Sequence, residues 1–128
     1  MIGRRVIKNS KLWIPNDFDS WGRGVGIGTI VKSPDGFEDL IDVRWPGGRC
    51  FEDDDQIIIE DDMGRFFIDV SDAEIDILMK MTISPFERST KFDEYMKIKY
   101  DLDAHLFKTI QLIHESNIGS RILLKIEE

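Results

Sequence analysis

The feature that most constrains the fold is a series of short, strand-like runs separated by glycine and proline turns between residues 21 and 62. The stretch opens with glycine at every second position: Gly22, Gly24, Gly26 and Gly28. Because glycine has no Cβ, the backbone can turn sharply there or approach another strand closely. Thr29-Ile30-Val31 follows, and its β-branched residues favour a strand.

The rest of this stretch alternates between turn signals and strand signals. Pro34-Asp35-Gly36 and Pro46-Gly47-Gly48 are typical of turns, since proline presets φ and glycine accepts positive φ. Apolar and charged residues alternate over Ile41–Trp45, which is the period of a half-buried strand. Further strand-like runs cover 49–52 and 56–60. Short strands at this spacing predict a small antiparallel barrel or sandwich.

Residues on either side extend this picture. A first strand is predicted over 5–9 and another strand or extended connector over 65–70. Ser71-Asp72-Ala73-Glu74 is a capping box, in which Ser71 accepts from the amide of Glu74 and the Glu74 side chain reaches back. The apolar spacing after it predicts a helix from about 72 to 81.

The region after residue 90 has helical spacing as well. Phe92, Tyr95 and Met96 predict a helix that either bends or ends near Asp101. Apolar residues at i+4 and i+3 spacing then predict a third helix: Leu102, Leu106, Ile110 and Ile113. The pattern leaves open whether 90–116 is one helix or two. Gly119 is a helix-stop position, and 121–126 is predicted as a closing strand.

Several of these residues resemble one known domain. They are a Gly3-Arg4-Arg5-Val6 start, Trp13, Trp21-Gly22, Gly26-Ile27-Gly28-Thr29-Ile30-Val31, and Val43-Arg44-Trp45 followed by Gly47. Over about residues 3–60 the chain resembles the Mind bomb–HERC domain, a small SH3-like barrel of large ubiquitin ligases. The resemblance implies an SH3-like barrel and a role in binding protein partners.

We therefore expect an α+β fold: a small antiparallel SH3-like β-barrel with a C-terminal helical layer and a closing strand. The expected division is a barrel over 1–62 and a helical region with a final strand over 63–128, packed on the barrel as one unit. A chain of 128 residues is long enough to bury a core without disulfides. The single cysteine, Cys50, indicates a reducing compartment and is expected to be a small buried residue rather than a catalytic thiol.

Charge is the strongest functional signal. The net charge is −8, and residues 52–62 hold seven acids and no lysine or arginine. Such a chain repels phosphate backbones, so basic partners are favoured over nucleic acid. Aromatic rings beside carboxylates can hold an ammonium or guanidinium group. The predicted binding residues are Trp13, Trp21, Trp45, Phe51, Glu52, Asp53, Asp54, Asp55, Glu60, Asp61 and Asp62.

Other interpretations of the same residues stay open. The acidic run can be a solvated surface, and at least two of the three tryptophans are expected to fill the core. Contiguous acids do not match a calcium-binding loop, and strand geometry would split them between two faces. The glycine series lacks the following helix that a phosphate-binding loop needs. His105 and His114 cannot share a metal if one continuous helix carries both.

The predicted function is a non-enzymatic protein-binding module that docks a basic peptide or basic protein surface. One alternative is a small acidic inhibitor, of the immunity or anti-defence type, that blocks a nucleic-acid enzyme by mimicking phosphate charge. The third is a metal-dependent hydrolase that uses the acidic run. We expect no cofactor, no direct nucleic-acid or membrane partner, a monomer or homodimer, and a cytoplasmic location, because the sequence has no secretory or membrane-spanning apolar stretch.

Overall fold

The computed structural model describes residues 2–9, 24–33, 39–84, 87–115, 117 and 119–126. The chain divides into two units, Met1–Asp61 and Asp62–Glu128. Its strands are mostly antiparallel, and with a curled half-barrel sheet and two helices it has an α+β fold. The predicted turn at 34–36, Trp13 and Trp21 lie outside the described residues.

The described residues of unit 1 form a five-stranded sheet in the order β4-β3-β2-β1-β5. Its strands are β1 (Arg5–Lys8), β2 (Gly28–Ile30), β3 (Ile41–Trp45), β4 (Gly48–Glu52) and β5 (Ile57–Ile59). All of the pairings are antiparallel, with Val6 opposite Gly28 on one side and Ile59 on the other. The sequence predicted each of these strands to within one or two residues.

The core of unit 1 follows from the alternation along these strands. Val43 and Trp45 on β3 pack with apolar residues of three other strands: Val6, Ile30 and Ile57. Residues two apart on a strand point to the same face, so Asp42 and Arg44 belong to the opposite face of β3. Cys50 is half-buried against this core. Period-2 patterning therefore places the apolar residues of β3 in this core, although Asp42 on the opposite face is also buried.

Gly28 allows β2 and β3 to approach closely. A Cβ at this position would lie 2.5 Å from Cγ1 of Val43 and 2.9 Å from Cε3 of Trp45. Gly26 has a positive φ of 81° and makes the bend that precedes the strand. The predicted use of these glycines in a turn and a close approach is confirmed.

Unit 2 is built on a second antiparallel sheet in the order β6-β10-β9. The strands are β6 (Arg65–Val70), β9 (Thr109–Glu115) and β10 (Gly119–Lys125). One face carries the buried side chains of Phe66, Ile68, Ile122 and Leu124. A short hairpin joins β7 (Thr82–Ser84) to β8 (Glu87–Arg88).

Two helices accompany this sheet, α1 (Asp72–Lys80) and α2 (Thr90–Tyr100). Ser71 Oγ accepts a hydrogen bond from the Glu74 amide at 3.1 Å, so the predicted cap and helix are confirmed. The predicted return bond from the Glu74 side chain is wrong, because that carboxylate bonds to residues of α2 instead. Ser89 caps α2 in the same way, through the Phe92 amide at 3.1 Å.

The predicted third helix is wrong. Asp101 ends α2 in the left-handed conformation, with φ of 51°. A single 3-10 turn over Ala104–Leu106 follows, and residues 109–115 form β9. Of the four residues that predicted this helix, Leu106 lies in the 3-10 turn, Ile110 and Ile113 lie in β9, and Leu102 precedes both. β9 exchanges strand hydrogen bonds with β10. Thr109, Ile110 and Ile113 are β-branched and favour that pairing.

Candidate functional site

The acidic turn, residues Asp53–Asp55, is the part of the predicted site that is exposed. Asp54–Gln56 form one 3-10 turn between β4 and β5, with Asp53 at its N-cap. The backbone N–H of Gln56 donates to Asp53 O at 3.1 Å, and the backbone N–H of Asp53 donates to Gln56 Oε1 at 3.1 Å. Aspartate suits this position because carboxylates are favourable in the first turn of a helix.

Asn9, which follows β1, holds the acidic turn from the other side. Its Nδ2 donates to Asp55 O at 3.1 Å, and its backbone N–H donates to Gln56 O at 2.9 Å. Hydrogen bonds to its backbone groups therefore fix this turn at both ends, while the carboxylates of Asp53, Asp54 and Asp55 face solvent. The result is three adjacent negative charges on an ordered support.

Trp45 and Glu52 do not belong to an exposed surface. Trp45 is 1% exposed and Glu52 is 2% exposed. Indole Nε1 of Trp45 donates to Glu52 Oε1 at 3.3 Å, which gives each buried polar group a partner. The prediction that these two residues present a ring and a carboxylate to a ligand is therefore wrong, because both are used inside unit 1.

The second half of the acidic run is engaged differently. Arg5 Nε on β1 donates to Glu60 Oε2 at 2.8 Å, and Arg4 donates to Glu60 O at 3.1 Å. Asp61 is half-buried and Asp62 is exposed, and these two residues belong to different units. The structure therefore does not gather all seven acids into one surface.

Phe51 is the described aromatic residue next to the acidic turn that retains exposure, at 37%. It lies on β4 opposite Asp42 of β3. Asp42 is buried beneath Arg49, whose Nε donates to Asp42 Oδ1 at 3.4 Å and whose Nη2 contacts Oδ2. The hydrogen bond and the charge of Asp42 raise the pKa of Arg49. This ion pair neutralises the Asp42 carboxylate beside Phe51, and Arg44 is exposed on the same face.

A cluster that the sequence did not reveal joins Ser120, His114 and Asp72 in unit 2. Ser120 Oγ donates to Asp72 Oδ1 at 2.7 Å and lies 2.7 Å from His114 Nδ1. Because the hydroxyl proton goes to Asp72, His114 Nδ1 must donate its own proton to Ser120 Oγ. Ser120 is 3% exposed, so a substrate could not reach this hydroxyl. The arrangement fixes the start of α1 to β9 and β10 rather than activating a nucleophile.

A second polar cluster centres on buried Glu74 of α1. The Tyr100 hydroxyl donates to Glu74 Oε1, and the Tyr95 hydroxyl donates to the same atom at 3.0 Å. Lys99 Nζ lies 3.4 Å from Glu74 Oε1. Burial alone would raise the pKa of Glu74, but these partners outweigh it and lower the pKa below 4.5. Burial and then the hydrogen bond to Glu74 raise the pKa of Tyr100 well above 10.0. This cluster ties α1 to α2.

Among the side chains that the structure describes, no group of three or more His, Cys, Asp or Glu residues could hold a metal ion. His105 lies in the 3-10 turn after α2 and His114 lies on β9, so the continuous helix assumed for them does not exist. Within the described ranges no helix is long and apolar enough to cross a membrane.

The described geometry thus defines an α+β protein with a half-barrel sheet and an exposed acidic turn at one sheet connection. Comparison with known proteins found no matching family model, no similar curated protein and no similar solved structure.

Proposed function

We propose that this chain is a non-enzymatic binding module that docks the basic surface of another protein through the acidic turn and Phe51. The observation that carries the proposal is the ordered display of Asp53, Asp54 and Asp55, three exposed carboxylates on a turn held by Asn9 and Gln56. Holding charges in place before binding reduces the ordering cost of association.

The neighbouring charges support the same proposal. Two basic residues close to the acidic run are paired within unit 1, Arg5 with Glu60 and Arg49 with Asp42. The charges of these two residues therefore offset little of the negative charge of the turn. Such a surface accelerates encounter with a cationic partner and makes the affinity sensitive to salt. Phe51 supplies adjacent apolar area.

The proposal includes an SH3-like barrel for unit 1. Its support is the strand order β4-β3-β2-β1-β5 together with a 3-10 turn between the last two strands. An SH3-like barrel has this order and this placement of its turn. The acidic turn would then lie on a connection of a rigid small barrel, which is where binding residues usually occur.

Calorimetric titration with a nine-residue arginine peptide tests the charge interaction. The binding variant is Asp53→Asn/Asp54→Asn/Asp55→Asn. Its matched control is Asp69→Asn/Asp76→Asn/Glu115→Gln, which removes three exposed charges in unit 2. We expect the binding variant to lose about tenfold or more in affinity at about 0.05 M salt, and the control to lose much less. Equal losses in the two variants would refute a localised docking surface.

A second experiment separates the proposal from the phosphate-mimic alternative. A partner retained by the wild-type chain, but not by the triple variant, would be challenged with duplex DNA and with RNA. A docking module releases its partner to neither nucleic acid, whereas an inhibitor that occupies a nucleic-acid channel is displaced. Release of the partner by DNA or RNA would therefore contradict the docking function and support the phosphate-mimicking inhibitor.

A further inference from the structure

A cavity of about 350 Å³ lies in unit 2, between the first turns of α2 and the segment 102–105. It arises because Asp101 leaves the helix with a positive φ of 51°, which reverses the chain. The 3-10 turn at Ala104–Leu106 then holds the returning segment beside the helix, with its N-cap Asp103 accepting from the His105 amide at 3.0 Å. The volume is within the range of small-ligand sites.

The lining combines an apolar floor with a charged rim. Leu102 and Ala104 are buried and form the apolar part. Asp93, Glu94 and Asp103 contribute carboxylates to the rim. A cavity of this kind suits a ligand with a short hydrocarbon chain and one polar end.

The positive groups of the lining do not balance its carboxylates. Lys97 Nζ is 2.9 Å from Asp101 Oδ1, which directs its charge toward that residue. His105 Nε2 is 3.8 Å from Asp93 Oδ2, and this imidazole is largely exposed. With three acids, one paired lysine and one histidine among the described lining residues, the cavity attracts cations.

We propose that this cavity binds an aliphatic ammonium group. The alkyl chain would lie against Leu102 and Ala104, and the ammonium would be close to Asp93, Glu94 and Asp103. Two sources supply this chemistry: a free alkylamine, or the lysine side chain of a peptide. The proposal concerns unit 2 and does not depend on the acidic turn of unit 1.

The test is a titration of the full chain with n-butylamine at neutral pH, followed by amide chemical shifts in ¹H–¹⁵N spectra. We expect saturable shifts at residues 90–97 and 102–105. n-Butanol has the same chain length without the charge and should bind at least about threefold more weakly. Equal binding of the amine and the alcohol, or shifts confined to other regions, would overturn the proposal.

Two charge variants provide opposite expectations. Glu94→Gln removes a rim carboxylate from an exposed helical position and should weaken butylamine about threefold to tenfold, whereas Lys97→Gln should strengthen it. Asp76→Asn, an equal charge change on α1, is the control and should leave the affinity unchanged. An effect of Asp76→Asn as large as that of Glu94→Gln would reduce the result to net charge and overturn the site.

A parallel titration with Nα-acetyl-lysine amide identifies the source. Binding at least as tight as that of butylamine assigns the cavity to a peptide lysine, and clearly weaker binding assigns it to a free amine. The triple variant of the acidic turn should bind butylamine like the wild-type chain. The proposal of an ammonium site can therefore be refuted without affecting the proposed docking function. The docking function can likewise be refuted without affecting the ammonium site.

Discussion

Gly28 illustrates at the scale of one residue how the sheet of unit 1 restricts its sequence. Its φ is not positive, so the requirement for glycine is steric rather than conformational. Side-chain atoms of Val43 and Trp45 occupy the space that a Cβ would need. The buried Trp45 ring is thus accommodated by the absence of one methyl group on the neighbouring strand.

Gly28→Ala is expected to destabilise the protein by about 1–3 kcal/mol, because the new methyl group overpacks against Val43 and Trp45. Urea unfolding monitored by tryptophan fluorescence measures the change. Gly3→Ala is the control, since its Cβ would meet nothing within 4 Å although φ is +90°. The control should lose only a backbone cost of about 1 kcal/mol. An unchanged midpoint for Gly28→Ala would contradict the close approach.

At the scale of elements, the sequence predicted the strands of unit 1 and α1 well, because their signals are local. Alternation along Ile41–Trp45 and the Ser71 cap each act within a few residues. The segment 102–113 was misread because its apolar residues fit a helical period and a strand period equally. Pairing of β9 with β10 decides between them, and that contact is tertiary.

The candidate site was predictable only in part, for the same reason. The exposed acidic turn was visible as a charge run, but hydrogen-bond partners from distant strands could not be inferred. Glu52 is buried because Trp45 requires an acceptor, and Glu60 is paired because β1 lies beside β5. The cluster of Ser120, His114 and Asp72 unites three elements and has no local signature.

The end of α2 provides a test at this scale. Asp101 adopts φ of 51°, which a β-branched residue adopts only at a cost. Asp101→Val should therefore destabilise the protein by about 1–2 kcal/mol. Asp101→Asn tolerates the same conformation and loses the exposed pair with Lys97, worth about 0.5 kcal/mol or less. Thermal unfolding of both variants measures the difference, and equal melting temperatures would show that the left-handed residue is not what terminates α2.

For the molecule as a whole, the Glu74 cluster links folding to pH in both directions. The folded state lowers the pKa of Glu74, so unfolding takes up protons in acid and stability falls as pH drops below about 4.5. The folded state raises the pKa of Tyr100, so unfolding releases protons in alkali and stability falls as pH rises above about 10. The pKa values of Tyr95 and Lys99 are also raised in the folded state, so these two groups add to the loss of stability at high pH.

The decreases in stability below about pH 4.5 and above about pH 10 are the acid limb and the alkaline limb of the stability curve. We expect two variants to separate these limbs in urea unfolding measured between about pH 3 and pH 11. Tyr100→Phe should flatten the alkaline limb and cost about 1–3 kcal/mol at neutral pH, because a buried carboxylate loses a hydrogen-bond donor. Glu74→Gln should flatten the acid limb, since the amide has no proton to gain. Lys97→Gln, which removes an exposed charge of α2, is the control and should keep both slopes. If Glu74→Gln retained the wild-type acid slope, the pH dependence would have to come from carboxylates outside this cluster.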